Sequence, residues 1–329
     1  MKLNPLFTNN MVLAAGKPIR VFGEGNGKVE VTFCGNTAAS NAKDGKWLVE
    51  LPSMEYGGPY EMEISLNGEK TVLRDVYVGL VFLLAGQSNN QFKVRDSHKE
   101  GHLVGKNDKK RFFMLLRIED QEDIHPEDGW VKADGDISSW PLLGSFIADE
   151  VIKRQDVAVG LIGCYQGASV IEAWLPTEIC DRAEFALPIE EKTHSHINPD
   201  YASWNQNGKL YDFMFKKIVP FSVSDIIWYQ GESDTTVQEA EIYDKEVAAL
   251  IECWRSDLSD PALHFTVVQI ADLHSQSENW RSIQEAQLRI PSLVSNCDTV
   301  ISKDVCEDDD IHPQSKKALG IRIVDTLGF

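Results

Sequence analysis

Val81-Phe82-Leu83-Leu84-Ala85-Gly86-Gln87-Ser88-Asn89 is the stretch whose reading decides the fold. Five apolar residues without a polar break read as a strand buried on both faces, the mark of a parallel sheet covered by helices. Gly86 ends the run and permits a tight turn. Ser88 then stands where backbone N–H groups at a helix start stabilise a developing oxyanion. A serine hydroxyl is a poor nucleophile near neutral pH and needs an adjacent base. An isolated Ser here would be read as a helix cap; the whole string favours a nucleophile.

The candidate base is His312, far downstream in Asp308-Asp309-Asp310-Ile311-His312-Pro313. Asp309, three residues before it, is suited to accept a hydrogen bond from one imidazole nitrogen and fix the tautomer. Asp310 is the alternative, because three aspartates stand in a row. The same acidic run also reads as the solvated cap of a final helix beginning at Pro313.

Outward from Ser88 the chain alternates strands and helices. Apolar runs at Phe112–Leu116, Val157–Ile162, Ile226–Tyr229, Phe265–Ile270 and Thr299–Ser302 read as buried strands. Leu142–Arg154, Leu210–Val219, Val237–Leu258, Trp280–Ile290 and Pro313–Leu327 read as helices. This alternation predicts a parallel sheet with ligands bound beyond the carboxyl ends of its strands. Two further motifs follow such ends. Gly163-Cys164-Tyr165-Gln166-Gly167-Ala168-Ser169 offers Gly167 as a backbone oxyanion donor, against the reading of a plain turn glycine. Trp228-Tyr229-Gln230-Gly231-Glu232-Ser233-Asp234 offers the Gln230 amide as a second donor and Glu232 as a buried anchor or alternative acid. Polar stretches His98–Asp108 and Asp181–Ser203 read as loops rimming the site.

Residues 1–77 have another rhythm. Val29–Phe33, Lys46–Leu51 and Tyr60–Leu66 alternate with period two between turn signals such as Lys43-Asp44-Gly45 and Asn67-Gly68, which predicts a small all-β unit.

Of the 329 residues, 43% are hydrophobic, which suits a globular core, and no apolar run approaches the roughly 20 residues of a membrane span. The net charge of −19 argues against nucleic acid and anionic membranes as partners, since both repel such a surface. The first residues carry no leader signature, so the expected location is the cytoplasm unless a leader was trimmed. Six cysteines lack metal-ligand spacing; all are expected to be free thiols, with Cys297–Cys306 the pairing left open.

Together these strings resemble the sialate O-acetylesterase family of the SGNH (GDSL-like) hydrolase superfamily. Gly86-Gln87-Ser88-Asn89 matches its serine block, Gly167 its glycine block, Trp228–Ser233 its third block and Asp309–His312 its last. Asn10–Leu13, Gly16-Lys17-Pro18, Asp44–Trp47, Gly57–Tyr60, Ile171–Trp174 and Leu210-Tyr211 extend the likeness over most of the chain. The second block departs as Gly167-Ala168-Ser169, and Asn90 replaces a frequent Met.

The resemblance implies an α/β fold: a three-layer α/β/α hydrolase domain, residues 78–329, with a flavodoxin-like parallel sheet, and a jelly-roll or immunoglobulin-like β-sandwich, residues 1–77. It implies a carbohydrate O-acetylesterase working through Ser88, His312 and Asp309 (or Asp310), with Ser88, Gly167 and Gln230 as the oxyanion hole and no metal or other cofactor. Gln87, Asn89 and Glu232 would support the site. Trp174, Trp280 and Tyr229 are candidate sugar contacts, with Trp140 and Trp204 also considered. The substrate stays open between sialic acid, whose carboxylate calls for an Arg clamp from among Arg95, Arg117, Arg182 and Arg281, and a neutral xylan or mannan, which the acidic chain favours. The rivals are a carbohydrate-binding protein without turnover and a short-chain esterase of non-sugar substrates.

Overall fold

The computed structural model describes residues 2–115, 117–118, 129–182, 184–185, 199–273 and 278–329; most of the expected loop Asp181–Ser203 therefore lies outside the described residues. The N-terminal part holds β1 (Lys2–Leu3), β2 (Val12–Ala14), β3 (Ile19–Glu24), β4 (Lys28–Phe33), β5 (Asn36–Asn41), β6 (Lys46–Leu51), β7 (Gly57–Leu66) and β8 (Glu69–Gly86). Strands β1, β3 and β6 form one antiparallel sheet. Strands β5, β4, β7 and β8 pair antiparallel in another, with β2 added parallel to β8. Period-two alternation gives these strands one buried face: Val29, Val31 and Phe33 of β4 and Trp47, Val49 and Leu51 of β6 are buried.

The expected boundary between residues 77 and 78 falls inside β8, which runs through both regions as one strand of 18 residues. Its burial changes from partial over Glu69–Tyr77 to complete over Val78–Gly86. The change of rhythm in the sequence is a change of surroundings along one strand, with no break in the backbone.

The second half of β8 is the hub of the central sheet. The later strands are β9 (Asn107–Met114), β10 (Val131–Ala133), β11 (Val159–Tyr165), β12 (Asp225–Tyr229), β13 (His264–Val268) and β14 (Cys297–Val300). Their order is β10-β9-β11-β8-β12-β13-β14, with every pair parallel except β10–β9. Counting β8, β11, β12, β13 and β14 as one to five gives the order 2-1-3-4-5 of flavodoxin-like sheets, to which β9 and β10 add an edge. The order reverses at β8, so β8 and β12 flank the switch point where such sheets bind ligands.

Among the described residues the helices are α1 (Ser88–Gln91), α2 (Leu142–Gln155), α3 (Thr177–Cys180), α4 (Lys209–Phe213), α5 (Val237–Asp257), α6 (Glu278–Leu293) and α7 (Lys317–Leu327). Helix α2 packs with α7, and α5 with α6. Gly144 of α2 lies against Leu84 of β8, whereas Trp254 of α5 lies against Trp228, which is in register with Ala85; neighbouring residues point to opposite sides, so the two pairs cover opposite faces. Two helix expectations need correction. The run Leu210–Val219 divides into α4 and a 3-10 turn at Phe215–Lys217. The last helix starts at Lys317, not Pro313, because Glu100 Oε2 accepts from the N–H groups of Lys316 (2.6 Å) and Lys317 (2.8 Å) and so caps it there.

A cluster of aromatic rings fixes the loop after β11 to α5. Fully buried Trp254 stacks on Phe215 at 3.8 Å between centroids and meets Trp174 and Trp228 edge-on. Its indole N–H donates to the Trp174 carbonyl at 3.2 Å. Replacing Trp254 by Ala should lower stability by about 3–5 kcal/mol, read as a reduced urea midpoint with unchanged m-value.

Candidate active site

The serine turn is fastened to the sheet on three sides. Gly86 has φ +114°, and a Cβ there would lie 2.3 Å from the Tyr229 carbonyl oxygen, so the turn needs glycine. The Gln87 N–H donates to Tyr229 O at 3.0 Å, and the Gln166 N–H donates to Gly86 O at 3.0 Å. Buried Asn90 donates from Nδ2 to Ala85 O (2.7 Å) and Ile227 O (2.9 Å), joining the ends of β8 and β12. Ser88 opens α1 immediately beyond this junction.

His312 meets it from the loop after β14. Its Nε2 lies 2.8 Å from Ser88 Oγ, and its ring stacks on Phe92. Burial, then the positive charge of Lys316, pushes the imidazole below its ordinary pKa, while Asp310 and Asp96 pull the other way. The group is therefore held neutral, the form a base requires. Asp310 Oδ1 accepts from the His312 backbone N–H at 2.9 Å. Asp309 adopts φ +60° and donates its own N–H to Asp272 O at 3.0 Å, which shapes the turn before His312.

Gly167 comes beside the pair from the end of β11: a Cβ on it would sit 3.9 Å from Ser88 Cβ and 3.2 Å from Gln91 Oε1. Its turn is braced by Asn205, which donates to Ala168 O at 2.8 Å and accepts from the Val170 N–H at 3.1 Å. Sequence reading missed Asn205; an Asn in a polar loop carries no signal of its distant partners.

Gln230 does not fit the donor role expected of it. It is fully buried, and its Nε2 donates to Ser169 O (2.9 Å) and to Asp234 Oδ2, while its Oε1 accepts from Tyr243 OH at 2.9 Å. Both amide hydrogens are spent under the site, which makes Gln230 a brace between the glycine turn and the end of β12. Glu232 matches the anchor role: it is buried, and its Oε1 accepts from Asn89 Nδ2 at 2.5 Å. Gln87 accepts weakly from the Gly231 N–H at 3.4 Å.

A cleft of about 390 Å³ opens over Ser88 and His312. Gln87, Gln91, Gln166, Gly167, Glu232 and Ser233 form its polar wall, and Arg117, Tyr201 and Trp204 also face it. Of the four arginines considered, Arg117 is the one that lines this cleft, and of the tryptophans, Trp204. Trp174, Trp280 and Tyr229 do not. The Trp174 indole donates to Ser169 Oγ and that of Trp280 to Ala271 O, both at 2.9 Å, and Tyr229 lies fully buried behind the serine turn. Gln91 Oε1, Gln166 Oε1, Glu232 Oε2 and Ser233 Oγ are buried atoms with no protein hydrogen-bond partner among the described residues. None of the six cysteines, all among the described residues, is in a disulfide, Cys297 and Cys306 included. Among the described residues no three His, Cys, Asp or Glu side chains converge as a metal ion would require.

Residues 78–327 match the sequence profile of a family described as "carbohydrate esterase, sialic acid-specific acetylesterase". The chain belongs to this family. Sialate O-acetylesterase of Homo sapiens is 24% identical over 370 residues, covering 96% of this chain and 68% of the relative. That of Rattus norvegicus is 24% identical over 391 residues, with shares of 96% and 70%. The crystal structure of a carbohydrate acetylesterase from Xanthomonas citri superposes with a TM-score of 0.83 at 27% identity, covering 98% of this chain and 73% of that one. The family member described here is accordingly a carbohydrate O-acetylesterase, a carboxylic ester hydrolase.

Its pH dependence should follow His312. Because the imidazole is pushed down, its neutral form persists below pH 6.5, and kcat/KM on an aryl acetate should fall only as pH drops through that lowered pKa. A half-maximal point above 6.5 would contradict this.

Proposed function

We propose that this esterase removes O-acetyl groups from an acidic sugar of the sialate class through an acetyl-enzyme on Ser88. The observation that carries the reaction is the 2.8 Å contact between Ser88 Oγ and His312 Nε2 at the floor of the cleft. Ser88 Oγ attacks the acetyl carbonyl as His312 takes its proton. The tetrahedral oxyanion is held by the backbone N–H groups of Ser88 and Gly167. As the intermediate collapses, His312 gives the proton to the departing sugar oxygen. A water then loses a proton to His312 and attacks the acetyl group, and acetate leaves as Ser88 recovers its proton. One of the aspartates before His312, Asp309 by spacing or Asp310 by its charge at the ring, steadies the imidazolium. The N-terminal strands form a β-sandwich against a three-layer α/β/α hydrolase unit.

Two features support a sugar as the substrate. The cleft volume suits one or two sugar rings. Its buried, unpartnered polar atoms call for a ligand rich in hydroxyl groups. Arg117 supports an acid: a guanidinium on the wall of such a cleft matches a carboxylate with two parallel hydrogen bonds. The second reading, a neutral acetylated glycan, has Tyr201 and Trp204 in its favour, since sugar faces stack on such rings.

Ser88→Ala and His312→Ala should each lower kcat on an aryl acetate by about a thousandfold or more with the fold intact by circular dichroism; wild-type turnover in either overturns the mechanism. Asp309→Asn and Asp310→Asn assayed side by side identify the orienting carboxylate by the larger loss of kcat.

Arg117→Gln separates the substrates. Acetate release from O-acetyl sialic acid should lose about tenfold or more in kcat/KM, as one charged hydrogen-bonded contact predicts. Release from acetylated xylo- and manno-oligosaccharides should change little. An equal loss on all three, or none, would favour the neutral glycan.

A further inference from the structure

Behind Ser88 lies a buried charge that the reaction as written does not use. Lys316 is fully buried. Its Nζ donates to Asn89 Oδ1 at 2.5 Å. Asn89 in turn donates from Nδ2 to Glu232 Oε1 (2.5 Å) and to the Ile311 carbonyl (2.9 Å). The ammonium also lies 5.1 Å from the centre of the Tyr229 ring and 5.8 Å from that of Phe92. A cation on the amide oxygen and a carboxylate on the amide nitrogen allow Asn89 one orientation only. That amide is therefore a polarised strut. It joins the residue after the nucleophile to the residue before the base, and both to the turn after β12.

We propose that Lys316 is a positioning residue for the esterase reaction, its buried ammonium locking Asn89 so that the serine turn and the His312 loop stay in register, and its field acting on the Ser88–His312 pair. Three observations support this beyond the contacts themselves. A buried cation is costly unless it is paired and hydrogen-bonded, so a Lys at this depth needs a reason. Ile311 O and His312 are adjacent, so the strut bears directly on where the imidazole sits. Phe92 lies between the two groups, stacking on His312 and taking the Lys316 charge on its ring.

Electrostatics agree with the geometry. Burial pushes the ammonium down to about 8, with Cys306, Glu232, Glu307 and Asp310 opposing the shift, so it is still cationic at neutral pH. Its charge in turn disfavours protonation of His312, against Asp310 on the same loop and Asp96 from the turn at Val94–Asp96. Glu100 takes the backbone N–H of Lys316 and completes the set of charges around it.

The assignment rests on Ser88 and His312 being the reacting pair, which covalent labelling of the wild type by a serine-directed fluorophosphonate reports independently. The test is the pH profile of kcat and KM on an aryl acetate for Lys316→Met, Glu232→Gln and the double variant, with the folded fraction measured for each. In Lys316→Met, kcat at pH 7 should fall about tenfold or more, as for a small misplacement of reacting groups, with KM within about twofold. The acid limb should move to higher pH, because the cation that disfavoured imidazolium is gone. Glu232→Gln keeps the bulk and the cation and should move the limb the other way. If Lys316→Met does not fold, the double variant, which removes both charges together, is compared with Glu232→Gln, and its acid limb should lie at the higher pH of the two. The proposal is overturned if loss of the lysine leaves the acid limb unmoved, in Lys316→Met against wild type or in the double variant against Glu232→Gln. It is equally overturned if kcat of the Lys316 variant tracks the folded fraction alone. Labelled wild type with unmoved limbs would remove Lys316 and leave the serine mechanism standing.

Discussion

The contact between Ser88 and His312 joins positions 224 residues apart, and it exists only because backbone comes unusually close to backbone where the sheet changes direction. Gly86 passes so near the Tyr229 carbonyl that no side chain fits between them. That approach lets β8 end in a turn tight enough to lift Ser88 over the sheet, while Asn90 holds the ends of β8 and β12 together below. The later motifs then need only reach the same edge. The ends of β11 and β12 do so because they flank β8, and the His312 loop does so because α7 begins where Glu100 holds it.

Polar side chains that look alike in the sequence divide here into two sets. One set is buried beneath the chemistry and spends its amide N–H groups there: Asn89, Asn90 and Gln230 donate to backbone and carboxylate partners. The other set keeps polar atoms unpaired at the cleft: Gln91, Gln166 and Ser233. The first set is rigid because each member is anchored by two donated hydrogen bonds, and rigidity is what holds reacting groups at working distance. The second set supplies hydrogen-bonding capacity for a ligand. A carbohydrate esterase needs both, because its reaction is sensitive to sub-ångström placement while its substrate is a flexible array of hydroxyl groups.

Much of this was legible in the chain. An unbroken apolar strand followed by Gly-Gln-Ser-Asn and a distant Asp-x-x-His singled out Ser88 and His312, which the fold brings within hydrogen-bond distance, because both motifs rest on local spacing. The parallel sheet followed from alternating strands and helices, and its flavodoxin-like order from the family resemblance. What failed depended on direction. At a strand end, neighbouring residues point to opposite sides, and a sequence does not say which side is the cleft. Gln230 and Tyr229 therefore went to the wrong place, and so did Trp174 and Trp280, whose indoles serve the interior. Arg117 and Trp204 were among several equals until the fold selected them. Lys316 gave no sign at all, since one lysine in a charged run reads as solvated surface.

Strand β8 pairs with β7 across the two-residue turn Asn67-Gly68 and with the earlier strand β2, and then with β11 and β12 far along the chain. Closing a short hairpin costs little chain entropy, whereas bringing in β11 and β12 closes much longer loops. In a polypeptide made from its amino end, the first half of this strand can thus be aligned by neighbours already synthesised. The half that leads into Ser88 would then be extended and waiting when its later partners arrive. The β-rich beginning of the chain is in this sense a template on which the catalytic sheet is laid.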